Sequence, residues 1–137
     1  MAGTSTKDCK ITLGATQIQG IFSYTMSGVT TDMYEDTEFG DEWKSYVPGL
    51  KDGGTISFNG NFVKTDTTGQ TQLKTYNKEG TNVTSIRIYV DSVSYYMPAT
   101  TNPSSYVNIT EWNVGAERGG LVSASFTAKI SGYLILA

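Results

Sequence analysis

The chain has 137 residues, a formal net charge of −3, no His and one Cys. Without His there is no Ser-His-Asp or Cys-His catalytic set, and no zinc site of the usual ligand types. One thiol cannot cross-link the chain to itself, so the fold rests on packing and hydrogen bonds. The length suits a single domain over residues 1–137 with its own core.

Val and Ile supply 18 residues and Thr 20, against 13 for Leu and Ala together. Branching at Cβ favours pleated strands, so the composition points to a mainly β fold. Met1 to Lys10 is polar, which reads as the absence of a secretory leader. The longest apolar stretch, Tyr133 to Ala137, is too short to span a membrane. The acceptor triplets at Asn82 and Asn108 then read as chance products of a Thr- and Asn-rich chain, and the protein as made and kept unglycosylated inside the cell.

In chain order, Gly14-Ala15 separates Lys10 to Leu13 from Thr16 to Phe22, the pattern of a hairpin. Phe22, Tyr24 and Met26 alternate with Ser23, Thr25 and Ser27, predicting a half-buried strand that Gly28 ends or bulges. Thr31 to Asp36 is a further candidate strand. A long loop is expected over 32–54, rich in acids: Asp32, Glu35, Asp36, Glu38, Asp41 and Glu42 precede the first base, Lys44. Within it Val47-Pro48-Gly49-Leu50 fits a type II turn, with Pro setting φ and Gly supplying a positive φ. Lys51-Asp52-Gly53-Gly54 predicts a second turn that reverses the chain into a strand over Thr55 to Val63.

Thr67 to Glu79 is the one convincing helix, with Asp66 placed to cap its start and Gly80 to stop it. Strands follow at Ser85 to Val90 and Val93 to Met97, then a loop over Ala99 to Ser105. Tyr106 to Val114 alternates in part, and Glu117 to Gly120 reads as a turn. Leu121 to Ile130 is the longest clean strand, with Val122, Ala124, Phe126, Ala128 and Ile130 on one face. The whole reads as a β-sandwich or barrel with one flanking helix.

Chemistry is sparse. Glycoside hydrolysis needs two carboxyls across a cleft with one pKa raised, and a Ca²⁺ loop needs ligands at alternate positions; six acids crowded on one loop fit neither and read as solvated. The Gly pairs lack the Lys-Ser/Thr and following helix of a phosphate cradle. Cys9 has no His to activate it. The ten bases are scattered, and a pI near 4.8 opposes nucleic-acid gripping. No catalytic residue, metal or cofactor is expected. The nine Tyr and two Trp suit either packing between sheets or protein contact, and the sequence leaves both open.

The run from Trp43 through Pro48-Gly49-Leu50-Lys51-Asp52-Gly53-Gly54 to Phe62 resembles the signature of bacteriophage tail tube proteins, also called major tail proteins. Asp66-x-x-Gly69-Gln70-x-x-Leu73 resembles the helix start of that family, Asp36-Thr37 its Asp-x-Thr site, and Leu121 to Ile130 followed by Ser131-Gly132 its closing strand. The Tyr-rich stretch Ser92 to Tyr106 lies outside the resemblance. The family implies a two-sheet β fold with one helix, here about 67–79, and the long loop at about 32–54. It further implies hexameric rings stacked into a hollow tube, with a tail terminator, a tape-measure protein and baseplate or tail-tip proteins as partners. DNA would pass through the lumen without specific binding, and no membrane is involved. The site of action would be the virion tail, built in the host bacterial cytoplasm.

On this resemblance the loop should make inter-subunit or inter-ring contacts through Asp32, Glu35, Asp36, Glu38, Asp41, Glu42, Trp43, Lys44, Tyr46, Pro48 and Leu50, with Trp43 and Tyr46 as apolar anchors. Six copies at −3 each would give a ring of −18, suggesting a negative wall that repels phosphates. A ring-former of a type VI secretion or other contractile-injection particle is the related alternative; a carbohydrate-binding β-sandwich, suggested by Tyr and Trp content, is the distant one.

Overall fold

A computed structural model describes residues 5–100 and 105–137. Its strands are β1 (Lys10–Leu13), β2 (Thr16–Gln17), β3 (Ile21–Ser27), β4 (Thr30–Glu35), β5 (Tyr46–Asp52), β6 (Thr55–Asn61), β7 (Ile86–Tyr89), β8 (Tyr95–Pro98), β9 (Tyr106–Gly115), β10 (Ser123–Ser131) and β11 (Leu134–Leu136); helix α1 (Gln70–Glu79) follows β6. Two sheets form the body, one in the order β11-β8-β7-β1-β2 and the other β3-β6-β10-β9, with every pairing antiparallel. β4 and β5 pair only with each other. The fold is mainly β with one helix, as the β-branched composition requires.

The inner faces supply the core. Ile11, Ile86 and Ile88 come from the first sheet, and Ile56, Phe58, Val107, Ile109, Ala124, Phe126, Ala128 and Ile130 from the second. Phe58 and Phe126 are cross-strand partners whose rings stack at 5.5 Å between centroids. Leu73 is fully buried and joins α1 to this core, while Asn77 Nδ2 donates to the Ile109 carbonyl at 2.9 Å. The thin apolar stripe on the helix is thus supplemented by a hydrogen bond to a strand edge.

A buried polar corner sets the crossing from the first sheet to the second. Gln70, 1% exposed, donates from Nε2 to the Gln19 carbonyl (2.7 Å) and the Asn61 carbonyl (2.8 Å), and its Oε1 accepts from the Val63 N–H (3.1 Å). Asp66 Oδ2 accepts from the N–H groups of Gln19 (2.9 Å) and Gln70 (3.1 Å). Gly20, with φ of 82°, lies against Asn61, and Gly60 lies against Gly20, so a Cβ on either would run into backbone. Only glycine permits this approach.

Several expectations are corrected here. The helix begins at Gln70, not Thr67, because the chain wraps around the buried Asp66 carboxylate before its first helical N–H reaches it; Gly69 is packed against that carboxylate. Gly80 ends the helix in the left-handed region (φ 68°), its N–H returning to the Tyr76 carbonyl. The strand expected over Thr16 to Phe22 stops at Gln17, and a bulge between Ile21 and Ser23 turns Phe22 out to solvent, leaving Ile21, Tyr24 and Met26 against the core. The closing strand starts at Ser123 rather than Leu121. β11 at Leu134–Leu136 was not anticipated. The loop expected over Ala99 to Ser105 falls mainly on residues 101–104, outside the described residues.

The largest correction concerns 32–54. It is a β-hairpin arm of β4 and β5 around the tip 36–45. The type II turn at Val47-Pro48-Gly49-Leu50 does not form: all four residues are in β5, and Gly49 is not among the glycines of positive φ. Each strand of a two-stranded arm has a free edge, so a proline without an N–H is tolerated there. Gly49-Leu50 sits opposite Asp32 alone, as a one-residue bulge, and the Tyr34 ring covers Gly49 where a Cβ would be. At Asp52-Gly53-Gly54 the chain bends without reversing, with Gly54 at φ 90° and its N–H donating to Asp52 Oδ1 (2.8 Å).

Gln70→Leu tests the corner. It adds apolar surface at a buried site but orphans the Gln19 and Asn61 carbonyls and the Val63 N–H, each costing roughly 1–3 kcal/mol. Urea unfolding should show a clear loss of stability, whereas an unchanged midpoint would mean that water replaces the amide freely.

Candidate functional site

The arm is an extension of the body, not a separate ribbon. Ser27 pairs with Thr55 and, three residues further out, Thr30 pairs with Asp52, so the β3–β6 register carries on into β4–β5. The two pairs flank Gly28 and Gly54, whose φ values are 80° and 90°. A Cβ on Gly54 would strike the Ser27 carbonyl, so the joint needs glycine there. The joint is fastened to β10 by the Ile130 N–H donating to the Gly54 carbonyl (3.1 Å) and by Lys129 Nζ on Asp52 Oδ1 (2.6 Å).

The tip is closed by its own bonds. The Asp36 N–H donates to the Ser45 carbonyl, the Ser45 N–H to Thr37 Oγ1 (2.9 Å), and the Glu38 N–H to Asp41 Oδ2 (2.8 Å), with Gly40 at φ 93° near the apex. Asp36 and Asp41 are therefore partly structural in their backbone or side-chain bonding. Asp32, Glu35, Glu38, Glu42 and Lys44 are exposed. Trp43 is 83% exposed and Leu50 78%, and Tyr46 and Pro48 are also exposed. The structure thus gathers the expected contact residues on one projecting element. Reading the sequence left out of the contact set Val29, Met33, Tyr34, Phe39 and Val47, further exposed apolar side chains on the same arm or its root. No periodic signal marked them, because β4 has no buried face and its two apolar residues, Met33 and Tyr34, are adjacent.

No residue from Thr30 to Asp52 is buried. An isolated two-stranded hairpin is marginal in water, and among the described residues nothing covers the apolar side chains of this one. Its charge is equally lopsided. Thr30 to Asp52 holds seven acids and two bases, net −5, which leaves six acids and eight bases elsewhere, net +2. The chain's −3 therefore resides on the arm.

The outward face of the β3-β6-β10-β9 sheet is different again. It presents Ser23, Thr25 and Ser27 from β3, Ser57 and Asn59 from β6, and Ser125 and Thr127 from β10. Asn108 and Asn113 of β9 pair with residues on that face. Lys129, already paired with Asp52, and Glu111 are the charged residues there. Hydroxyls and amides without net charge make this a hydrated, weakly adhesive surface. Among the described residues no group of acids, Cys or His converges to hold a metal ion, and no helix is long and apolar enough to cross a membrane.

Tyr24 is the most perturbed titrating group. Burial, reinforced by its hydrogen bond with Cys9, pushes its hydroxyl up to about 12, while it donates to the Tyr89 carbonyl at 3.2 Å. It ties β3 to β7 across the seam between the sheets, with the Cys9 thiol beside it.

The described residues thus form two antiparallel sheets, one α-helix and a hairpin arm, a mainly β fold. No protein-family model and no curated protein matches the chain. Among solved structures, it is similar to a chain in the tail of an empty gene transfer agent particle determined with C6 symmetry: TM-score 0.77, 16% identity, 98% of this chain and 99% of that one. It is similar to a chain of the anti-feeding prophage cap, which terminates that tube, with TM-score 0.70 and 11% identity over 100% of this chain and 92% of that one. A chain of the PVC sheath-tube complex, an extracellular contractile injection system in its extended state, gives TM-score 0.70 and 11% identity over 99% and 92%. At these identities the likeness is one of fold.

The arm root should respond to acid. The Lys129 ammonium, and then the Gly54 N–H, hold the Asp52 carboxyl below the usual carboxylate range. A carboxyl lowered in the folded state contributes stability above its unfolded pKa, near 4, and loses it as pH falls through the folded value. Protease cleavage of the arm should therefore accelerate below about pH 4. Asp52→Asn should be cleaved faster at neutral pH and lose that part of the acid response. Equal cleavage of the two proteins across the range would show that the ion pair does not fasten the joint.

Proposed function

We propose that this chain is a structural tube subunit, closing with further copies of itself into six-membered rings that stack into a hollow conduit. The observation that carries the reading is the likeness over nearly the whole chain to components of tails and injection tubes, one of them determined with sixfold symmetry. The molecule has what such a role needs. β3 and the outer half of β9, past the Val83 bridge to Val107 and the Asn77 bond to Ile109, are open edges of one sheet, templates for pairing with a neighbour, and a head-to-tail contact repeated with rotation closes a ring or grows a filament. The chain acts as one domain and performs no catalysis.

In this reading the hydroxyl and amide face of the β3-β6-β10-β9 sheet lines the lumen, in place of the negative wall inferred from net charge alone. The acids sit on the arm, where they meet neighbours, and a wall of Ser, Thr and Asn lets a polymer slide on water without being held or repelled. The arm residues Asp32, Glu35, Glu38, Glu42, Trp43, Lys44, Tyr46, Pro48 and Leu50 form the contact between subunits or rings. The tube acts in a virion tail, assembled in the host bacterial cytoplasm, and meets a terminator, a tape-measure protein and a baseplate or tail tip. DNA is the cargo in a phage tail; a contractile-injection particle is the second reading, supported by the fold likeness to such systems.

Negative-stain microscopy of concentrated protein should show hollow tubes of stacked rings; a persistent monomer that binds a glycan array would replace the proposal. Trp43→Ala should raise the concentration needed for tube formation roughly 30-fold, the equivalent of an interface anchor worth about 2 kcal/mol. Normal tubes at an unchanged concentration would remove Trp43 from the contact.

A further inference from the structure

The outer face of the β11-β8-β7-β1-β2 sheet carries a built array of cations and rings. Register places Lys10 opposite Tyr89 and Tyr89 opposite Tyr95, with Arg87 two residues along β7 on the same face. Lys10 Nζ lies 4.6 Å from the Tyr89 ring centroid, the Arg87 guanidinium carbon 4.9 Å from that of Tyr95, and the two rings are 5.0 Å apart. Among the described residues the only salt bridge is Lys129 with Asp52, so neither Lys10 nor Arg87 is matched by a carboxylate. Each cation is steadied by a ring on one side, which leaves its other side for an anion. The four side chains are partly exposed.

We propose that this face is the receptor for the arm of a second copy of the chain. The proposal rests on the tube-subunit reading and adds the surface that receives the arm. Complementarity argues for it from both sides. The arm offers carboxylates at net −5 together with Tyr34, Phe39, Trp43 and Tyr46, all exposed. The receptor offers two unmatched cations held over two tyrosine rings, on a body of net +2. Carboxylates of Glu35, Glu38 and Glu42 meet Lys10 and Arg87, and the arm's aromatic side chains cover Tyr89 and Tyr95. Donor and acceptor surfaces lie on different parts of one chain, so the contact is head-to-tail and propagates from copy to copy. Burial of the paired charges makes it specific, and its formation weakens with salt.

A charge swap tests it. Lys10→Glu/Arg87→Glu reverses the receptor and keeps the arm; Glu35→Lys/Glu38→Lys/Glu42→Lys reverses the arm and keeps the receptor. Both substitute exposed or partly exposed positions, and circular dichroism with thermal melting checks that each folds. Sedimentation at graded concentration should show each variant associating about tenfold or more weakly than the parent. An equimolar mixture should recover association, because each arm then meets a receptor of opposite sign. A receptor variant that associates like the parent, or a mixture as weak as its components, overturns the proposal. If the parent forms only concentration-dependent linear oligomers that obey the same swap, the receptor stands and the tube reading falls. If the parent binds a DNA duplex through Lys10 and Arg87 while both variants self-associate normally, the face belongs to nucleic acid and the proposal is wrong.

Discussion

The molecule depends on one buried amide. Gln70 joins Gln19, Asn61 and Val63 while Asp66 joins Gln19 to the start of α1, so one polar knot fixes the crossover between sheets, the end of β6 and the direction of the helix. A buried polar group left unsatisfied is costly, and one fully satisfied is directional in a way that apolar packing is not. Phe58, Phe126 and their neighbours supply bulk to the core. The knot determines which edges meet. Gly20 and Gly60 complete it by letting two backbones approach at the same point.

From that corner outward the molecule separates its surfaces by chemistry. One sheet face is hydroxyl and amide, the other is aromatic and cationic, and the arm is acidic and apolar together. A net charge spread evenly would give none of these surfaces a partner. Concentrating the negative charge on a hairpin gives the arm, at net −5, and the rest of the chain, at net +2, opposite sign.

Much of the body was legible in the sequence because period-two alternation survives wherever a strand has one buried face. β6 and β10 show it cleanly, and their register follows. Legibility failed where geometry departed from that period or where no face was buried. The bulge at Phe22 shifts one residue and moves its side chain from core to solvent. β5 has no buried face, so Pro48-Gly49-Leu50 looked like a turn; in the strand the Tyr34 ring lies across Gly49. Asp66 was expected as the cap of a helix from Thr67; the N-cap is Gly69, and Asp66, three residues earlier, accepts from the Gln70 N–H and from the Gln19 N–H, a remote partner that no local pattern reveals. The cation–ring array was invisible for the same reason, since Lys10 and Arg87 become neighbours only through the pairing of β1 with β7.

The register that resumes across the glycine joint, from β3–β6 into the arm, has a mechanical consequence. β6 lies between β3 and β10, so a pull on the arm along its strands runs directly into the middle of a sheet, with no flexible loop to absorb it. Such a pull acts across the ladder hydrogen bonds in shear, loading many at once instead of peeling them singly. The glycines at the joint permit a change of angle while the strands bear tension. An element anchored this way behaves as a tendon, able to bend with its neighbours and still carry load between them.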